Sequence, residues 1–332
     1  MDIREIDVAD ETALHAWWEL AHAVDHEDRP WSWFMAWDLL RRVFAAPNHE
    51  WKRVVLGGYE GERLVAGGHL QLPLLDNTHV AMLWVFVAPE QRRQSLGTQV
   101  LETLTELSVA EGRTTLICAV NQPHAIPQVA GTPFAEHHGY KHALSEGAKL
   151  LDIASTRDRW AALAEEAAPH LDGYRLVTWR DRVPDELLDG YCALQAAFNS
   201  EAPAGDLDLE NEVWDESRVR EKEKRFEAVG RHETATAAVA PDGAVAGFTE
   251  LLVSDASPER AMQGGTIVLP AHRGHRLGIA MKVANQVEMM ERFPDVERIV
   301  TGNADVNATM NAINDLLGFR EVEVAHEMQR KL

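Results

Sequence analysis

Val87-Ala88-Pro89-Glu90-Gln91-Arg92-Arg93-Gln94-Ser95-Leu96-Gly97-Thr98 and Val268-Leu269-Pro270-Ala271-His272-Arg273-Gly274-His275-Arg276-Leu277-Gly278-Ile279-Ala280 are one pattern written twice. Matching positions lie 181 apart: Pro89 with Pro270, Arg92 with Arg273, Gly97 with Gly278. In each copy an aliphatic run passes through proline into a basic turn and then into a long amphipathic segment. A strand that delivers such a turn to a helix start gathers unpaired backbone N–H groups and the positive dipole end at one point. That point suits an anion, and a pyrophosphate in particular.

At these residues the chain resembles the GNAT superfamily of N-acetyltransferases, whose acyl-coenzyme A turn reads Gln/Arg-x-x-Gly-x-Gly/Ala. Arg92 to Gly97 and Arg273 to Gly278 match it except at the middle glycine, which is Ser95 in one copy and Arg276 in the other. Downstream, Phe134-Ala-Glu-His-His-Gly139-Tyr140 and Ile313-Asn314-Asp-Leu-Leu-Gly318-Phe319 both resemble the family's closing helix. Two elements, in order and duplicated, identify a tandem member. The resemblance extends to acidic actinobacterial members, the enzyme that acetylates the mycothiol precursor among them.

Composition fits that picture. A length of 332 residues accommodates two domains of about 150 each. The expected organisation is a GNAT-like domain over 1–152, a connecting helix over 153–171 and a second GNAT-like domain over 172–332. The expected class is α+β, sandwich-like, each domain a mixed sheet flanked by helices. No apolar run approaches the roughly 20 residues of a membrane span. Cys118 and Cys192, the two cysteines, read as buried free thiols in a reducing cytosol, so the expected localisation is cytoplasmic. A net charge of −21 argues against a nucleic-acid partner and would draw a cationic acceptor. It also requires that any polyanion such as coenzyme A meet local positive charge, which Arg92-Arg93 and His272 to Arg276 supply. His137-His138 has no second ligand pair at metal spacing, so no metal is expected. Oligomeric state stays open, a homodimer included.

Patterning along the chain gives each half a strand, helical segments, three strands, the signature helix, a strand and a closing helix. In the first half, Leu14, Trp17, Trp18 and Ala21 recur at three and four, as one helix face requires. Three prolines between Asn121 and Pro133 leave only a short or displaced helix there. In the second half, Pro184 to Phe198 reads as a helix and Asn199 to Glu216 as an irregular acidic stretch. That stretch is either a lid over an acceptor cleft or a plain solvated loop. The tryptophans at 17, 18, 31, 33 and 37 read as core packing, with an aromatic acceptor pocket as the alternative.

The family resemblance implies acetyl-coenzyme A as the donor and a small primary amine, such as an amino sugar or amino acid, as the acceptor. It implies that the turn amides hold the diphosphate, over Arg92, Arg93, Gln94, Ser95, Gly97 and Thr98 or over Arg273, Gly274, His275, Arg276, Leu277 and Gly278. It implies that a splayed strand just before, Val85, Phe86 and Val87 or Thr266, Ile267 and Val268, polarises the thioester carbonyl. Asn303 and Asn307 resemble the family's asparagines that contact the pantetheine arm, which makes the second half the better equipped. Neither half keeps the tyrosine many members place five residues before the closing aromatic; Ala135 and Asn314 stand there. With no cysteine placed for an acyl-enzyme, direct attack in a ternary complex is expected. Glu250, a carboxylate inside the apolar run Gly247-Phe248-Thr249-Glu250-Leu251, is the candidate base. Strict strand alternation would instead turn it to solvent. The rival reading is a degenerate member that binds acyl-coenzyme A without chemistry.

Overall fold

A computed structural model describes residues 1–332, the side chain of Asn199 excepted. Its elements run β1 (Asp2–Glu5), α1 (Glu11–His26), α2 (Trp37–Ala45), β2 (Trp51–Glu60), β3 (Arg63–Pro73), β4 (Val80–Val87), α3 (Leu96–Ala110), β5 (Thr115–Pro123), α4 (Gly131–His137) and β6 (Lys141–Asp152). There follow α5 (Ile153–Thr156), α6 (Trp160–Ala167), β7 (Arg175–Arg180), α7 (Leu188–Glu201), α8 (Glu216–Val229), β8 (Arg231–Val239), β9 (Val245–Ser254) and β10 (Ser257–Val268). The chain closes with α9 (Leu277–Arg292), β11 (Arg298–Ala304), α10 (Ala308–Leu317) and β12 (Arg320–Lys331). Mixed sheets flanked by helices make the protein α+β.

The chain forms two compact units that do not follow its halves strictly. The first comprises residues 1–146, 205–210 and 323–332; the second comprises 147–204 and 211–322. In the first unit β1, β2, β3 and β4 pair antiparallel in sequence, β4 pairs β5 in parallel, and β12 lies antiparallel on β5 from Glu323↔Pro123 to Lys331↔Thr115. The last strand of the chain therefore completes the sheet that the first residues begin. In the second unit β7, β8, β9 and β10 pair antiparallel and β10 pairs β11 in parallel. The segment 153–171, expected to connect two domains, lies inside the second unit, with Trp160 and Ala167 in its core.

Each sheet buries both faces. On one face of the first unit, α3 packs Leu96, Val100, Leu101 and Leu104 against Leu70, Leu83 and Leu116. Opposite, α1 and α2 build a core of Leu14, Trp17, Leu40 and Phe44, with Trp18 and Trp37 against it. Core packing thus accounts for Trp17, Trp18 and Trp37, while Trp31 is exposed. In the second unit α9 carries the corresponding packing with Ile279, Ala280, Val283 and Met289. The other face holds Leu188, Tyr191, Leu194, Val219 and Phe248.

The acidic stretch begins in the last turn of α7 and is not a free loop. Residues 205–210 belong to the first unit, where Asp208 accepts from Thr115 Oγ1 at 2.9 Å and pairs with Lys331 at 3.2 Å. Asp215 caps α8, accepting from the Arg218 amide at 2.9 Å. That helix was missed in the sequence because so many of its residues are charged.

Candidate acyl-coenzyme A and acceptor site

Both signature turns share an unusual backbone. Arg93 and Ser95 take φ of 65° and 61°, and Gly274 and Arg276 take 91° and 52°. Left-handed residues at every second position turn successive N–H groups to one side, the concavity that holds anions in phosphate loops. Neither following helix has a side-chain cap at its start. Among the described residues, no acceptor stands against the amides of 93–98 or of 274–279; the next donors, Gln99 and Ala280, bond to Ser95 and Arg276. Gly274 has open space where a Cβ would stand, so a ligand meets bare backbone there. Such a cradle fits a diphosphate.

The strand before each turn parts from its parallel neighbour. Pairing runs Val80–Thr115, Ala81–Leu116 and Met82–Ile117 and stops, although β4 and β5 both continue. In the second unit it stops after Met262–Val300. Val85, Phe86 and Val87, and Thr266, Ile267 and Val268, therefore line a gap while bonded to β3 or β9 on their other side.

Side chains at the turns have partners of their own. Arg92 donates through Nε to the Val87 carbonyl at 3.3 Å and through Nη2 to Glu27 at 2.5 Å. Arg273 repeats this with the Val268 carbonyl at 3.0 Å and Glu201 at 2.6 Å. These arginines strap each turn to its own strand and to the end of α1 or α7. His275 pairs with Asp172 at 2.8 Å and Arg276 with Glu166 at 3.3 Å, so the expected local positive charge of the second turn is met by its own carboxylates. Arg93 is exposed and, among the described residues, has no such partner; Gln94 bonds to Gln91 at 3.1 Å. Thr98 hydrogen-bonds His138 of the region closing α4 at 3.1 Å. Gly97 and Gly278 admit the closing helices: an added Cβ would stand 3.4 Å from Phe134 and 2.9 Å from Ile313. Leu277 is buried in the core.

The two asparagines also have structural jobs. Asn307 caps α10, accepting from the Met310 amide at 3.1 Å. Asn303 donates to Asn311 and accepts from Asn314, both at 2.8 Å. The Asn303 amide thus ties β11 to α10, and Asn307 starts that helix.

Glu250 does not face solvent; its side chain is 14% exposed. Ala235 stands opposite it on β8, and it shares a face with Phe248 beneath α7 and α8. Glu250 Oε2 accepts from Lys222 Nζ at 3.1 Å and Tyr191 Oη at 3.2 Å, while Oε1 lies 3.4 Å from the Gly265 amide. Gly264 and Gly265 form a bulge in β10, just before the gap-lining residues. A Cβ on Gly264 would strike Glu250 at 2.7 Å, so glycine lets that carboxylate reach the strand. Lys222, Glu233 and Tyr191 were missed in the sequence. One signal was available: Val219, Lys222, Phe226 and Val229 recur at three and four, which puts a lysine in the apolar stripe of α8.

Cradle, gap and closing helix recur in both units. Residues 13–129 match the acetyltransferase (GNAT) family. A tandem GNAT protein from the clavulanic acid biosynthesis pathway, solved without acetyl-coenzyme A, is 26% identical over 99% of this chain and 98% of that one, with a TM-score of 0.81. A GCN5-related N-acetyltransferase from Sphaerobacter thermophilus shares the fold at 13% identity, 99% and 95% coverage and a TM-score of 0.67. An acetyltransferase from Pyrococcus horikoshii does so at 13%, 100% and 89%, with 0.55. No curated protein sequence matches the chain. Residues 13–129 thus resemble the GNAT acetyltransferase family, and over its whole length the chain has the fold of a tandem GNAT protein.

Proposed function

We propose that the chain is an acetyl-coenzyme A-dependent N-acetyltransferase that acts on the primary amine of a small cytoplasmic molecule, with transfer in the second unit. The observation that carries this reading is the open amide cradle beside a splayed strand, with a buried carboxylate at that strand's bulge. When bound, acetyl-coenzyme A supplies an activated thioester. The amides of 274–279 would hold its diphosphate, helped by the dipole of α9. An amide of Thr266, Ile267 or Val268 facing the gap would stabilise negative charge as it develops on the carbonyl oxygen. Glu250 would take the proton from the acceptor ammonium before attack. Asn314 stands where many relatives have tyrosine, and the weakly basic thiolate leaves without a side-chain acid. A net charge of −21 favours the approach of a cation.

The test is calorimetry with acetyl-coenzyme A followed by thiol release across an amine panel. Saturable binding with amine-dependent thiol release supports the reading. Saturation without release from any amine would leave an acyl-coenzyme A-binding protein, and no binding at millimolar donor would end both. A second reading, transfer in the first unit, is favoured by the family match over residues 13–129 and by the unpaired Arg93. Disabling Glu250 separates the two.

A further inference from the structure

Four polar side chains of the second unit meet between α7, α8 and the sheet: Tyr191, Lys222, Glu233 and Glu250. Lys222 is the hub. Its Nζ stands 2.6 Å from Glu233 Oε2 and donates to Glu250 Oε2 at 3.1 Å and Tyr191 Oη at 3.0 Å. Gln195 Nε2 donates to the same hydroxyl at 2.6 Å. The rings of Phe226 and Tyr191 flank the ammonium at 5.3 and 5.7 Å. Glu233 is 3% exposed and Lys222 is 8% exposed. One ammonium between two carboxylates leaves a negative charge in excess, in a place with little water to spread it. Buried ion clusters of this kind are weak contributors to stability, and apolar residues of similar volume often serve as well. The cluster invites a chemical explanation.

We propose that Lys222 and Glu233 are positioning residues for Glu250: Lys222 fixes one carboxylate oxygen so that the other faces the acceptor amine at the Gly264–Gly265 bulge, and Glu233 takes up the proton that Glu250 receives. This rests on Glu250 being the base. The transfer balances. The acceptor ammonium gives a proton to the Glu250 carboxylate, which becomes a carboxylic acid. Lys222 passes a proton to Glu233 and regains one from Glu250, so Glu250 returns to carboxylate and Glu233 ends protonated. Burial pushes the Glu233 carboxyl up to about 7, with Lys222 opposing, so it is suited to take a proton near neutrality. Burial works against charge on Lys222, yet Glu233 and Glu250 hold the ammonium well above its ordinary range. Glu233 is faced by Lys222 and Glu223 of α8, Glu250 of β9 and Tyr191 of α7; Arg220 pairs with Glu223 at 2.8 Å. Asp181 accepts from the Glu233 amide and Arg292 donates to its carbonyl.

The experiment follows thiol release from acetyl-coenzyme A, with the fastest amine of the panel, from pH 5 to 9. Glu250→Gln comes first. Wild-type turnover would remove the base and this inference with it; a loss of about 100-fold or more with donor affinity kept leaves the base standing. Glu233→Gln then shifts the acidic limb of kcat/KM down by about one pH unit, because a negative charge has left the side of Glu250. Lys222→Met shifts it up by a similar amount, and Lys222→Arg returns it toward wild type. Limbs that stay in place while only the scale of kcat/KM or the melting temperature falls would overturn the proposal. If Lys222→Met does not fold, Glu233→Gln and Lys222→Arg decide. Thermal unfolding needs no acceptor. A carboxyl raised from 4.5 to about 7 in the fold contributes stability that is full below 4.5 and lost as pH climbs to about 7. Glu233→Gln removes that slope, and an unchanged slope counts against the cluster's assignment.

Discussion

Three residues along from the strand position opposite the signature valine, the two units part company. Ala66 pairs with Val87 and Gly247 with Val268, so His69 and Glu250 occupy matching sites on β3 and β9. Glu250 meets a two-glycine bulge and a buried lysine. His69 instead pairs with Trp84, whose indole stacks on it at 5.1 Å, with Phe44 at 5.1 Å and Trp17 at 6.4 Å. His69 Nε2 is buried without a partner, and burial, with Arg53 adding to it, pushes the ring down to about 3. The backbone features that cradle an anion are common to both units. What differs is the filling of one site, polar and glycine-backed in the second unit, aromatic in the first. The two units keep one backbone geometry while a few side chains set the chemistry of that site.

The largest expected effect breaks or upholds that contrast directly. Glu250→Gln should lower thiol release by about 100-fold or more with acetyl-coenzyme A affinity unchanged, whereas His69→Gln should change it less than about twofold. The reverse ranking would move transfer to the first unit. Next comes acid sensitivity. The His69 pKa is depressed in the fold, so its neutral form contributes stability that is present above 6.5 and lost as pH falls toward about 3. His69→Leu should remove roughly 3 kcal/mol of the wild-type loss between pH 6.5 and 4, read by denaturant unfolding at several pH values. Lys282 of α9 sharpens the view from the second unit. It is fully buried beneath the Phe319 ring at 5.9 Å, and burial brings its ammonium down to about 7. Wild-type stability should therefore rise between about pH 7 and 10.5. Lys282→Met should flatten that rise and add about 2 kcal/mol at pH 7. The smallest effect concerns Asn307. Loss of its cap in Asn307→Ala should cost about 1 kcal/mol in thermal unfolding and leave the donor affinity unchanged; a tenfold weaker affinity would instead support a pantetheine contact.

Much of the fold was legible because the deciding signals are local. A valine run, a proline, a basic turn and a glycine at the second position of the next helix announce strand, turn and helix within a dozen positions, twice. Glu250 was legible as an oddity in an apolar run. Its setting was not, since Lys222, Glu233 and Tyr191 come from three other elements and converge only in space. The partners of Arg92 and Arg273 were hidden for a related reason. Sequence gives their place in the turn, but the carboxylates that capture them, Glu27 and Glu201, sit 65 and 72 residues away. The segments 205–210 and 323–332 could not be assigned to the first unit from the sequence either. Strand pairing across some two hundred residues leaves no periodic trace.

Residues 323–331, the strand that pairs with β5, bear on how the chain comes to be folded. During synthesis β5 must wait, its edge unpaired, until some two hundred further residues have emerged. An open edge of that kind templates pairing with other chains, and long-range strand closure is slow. The second unit can mature while the first still lacks its seal, so a chain cut short before Glu323 would carry a sound second unit and an aggregation-prone first one.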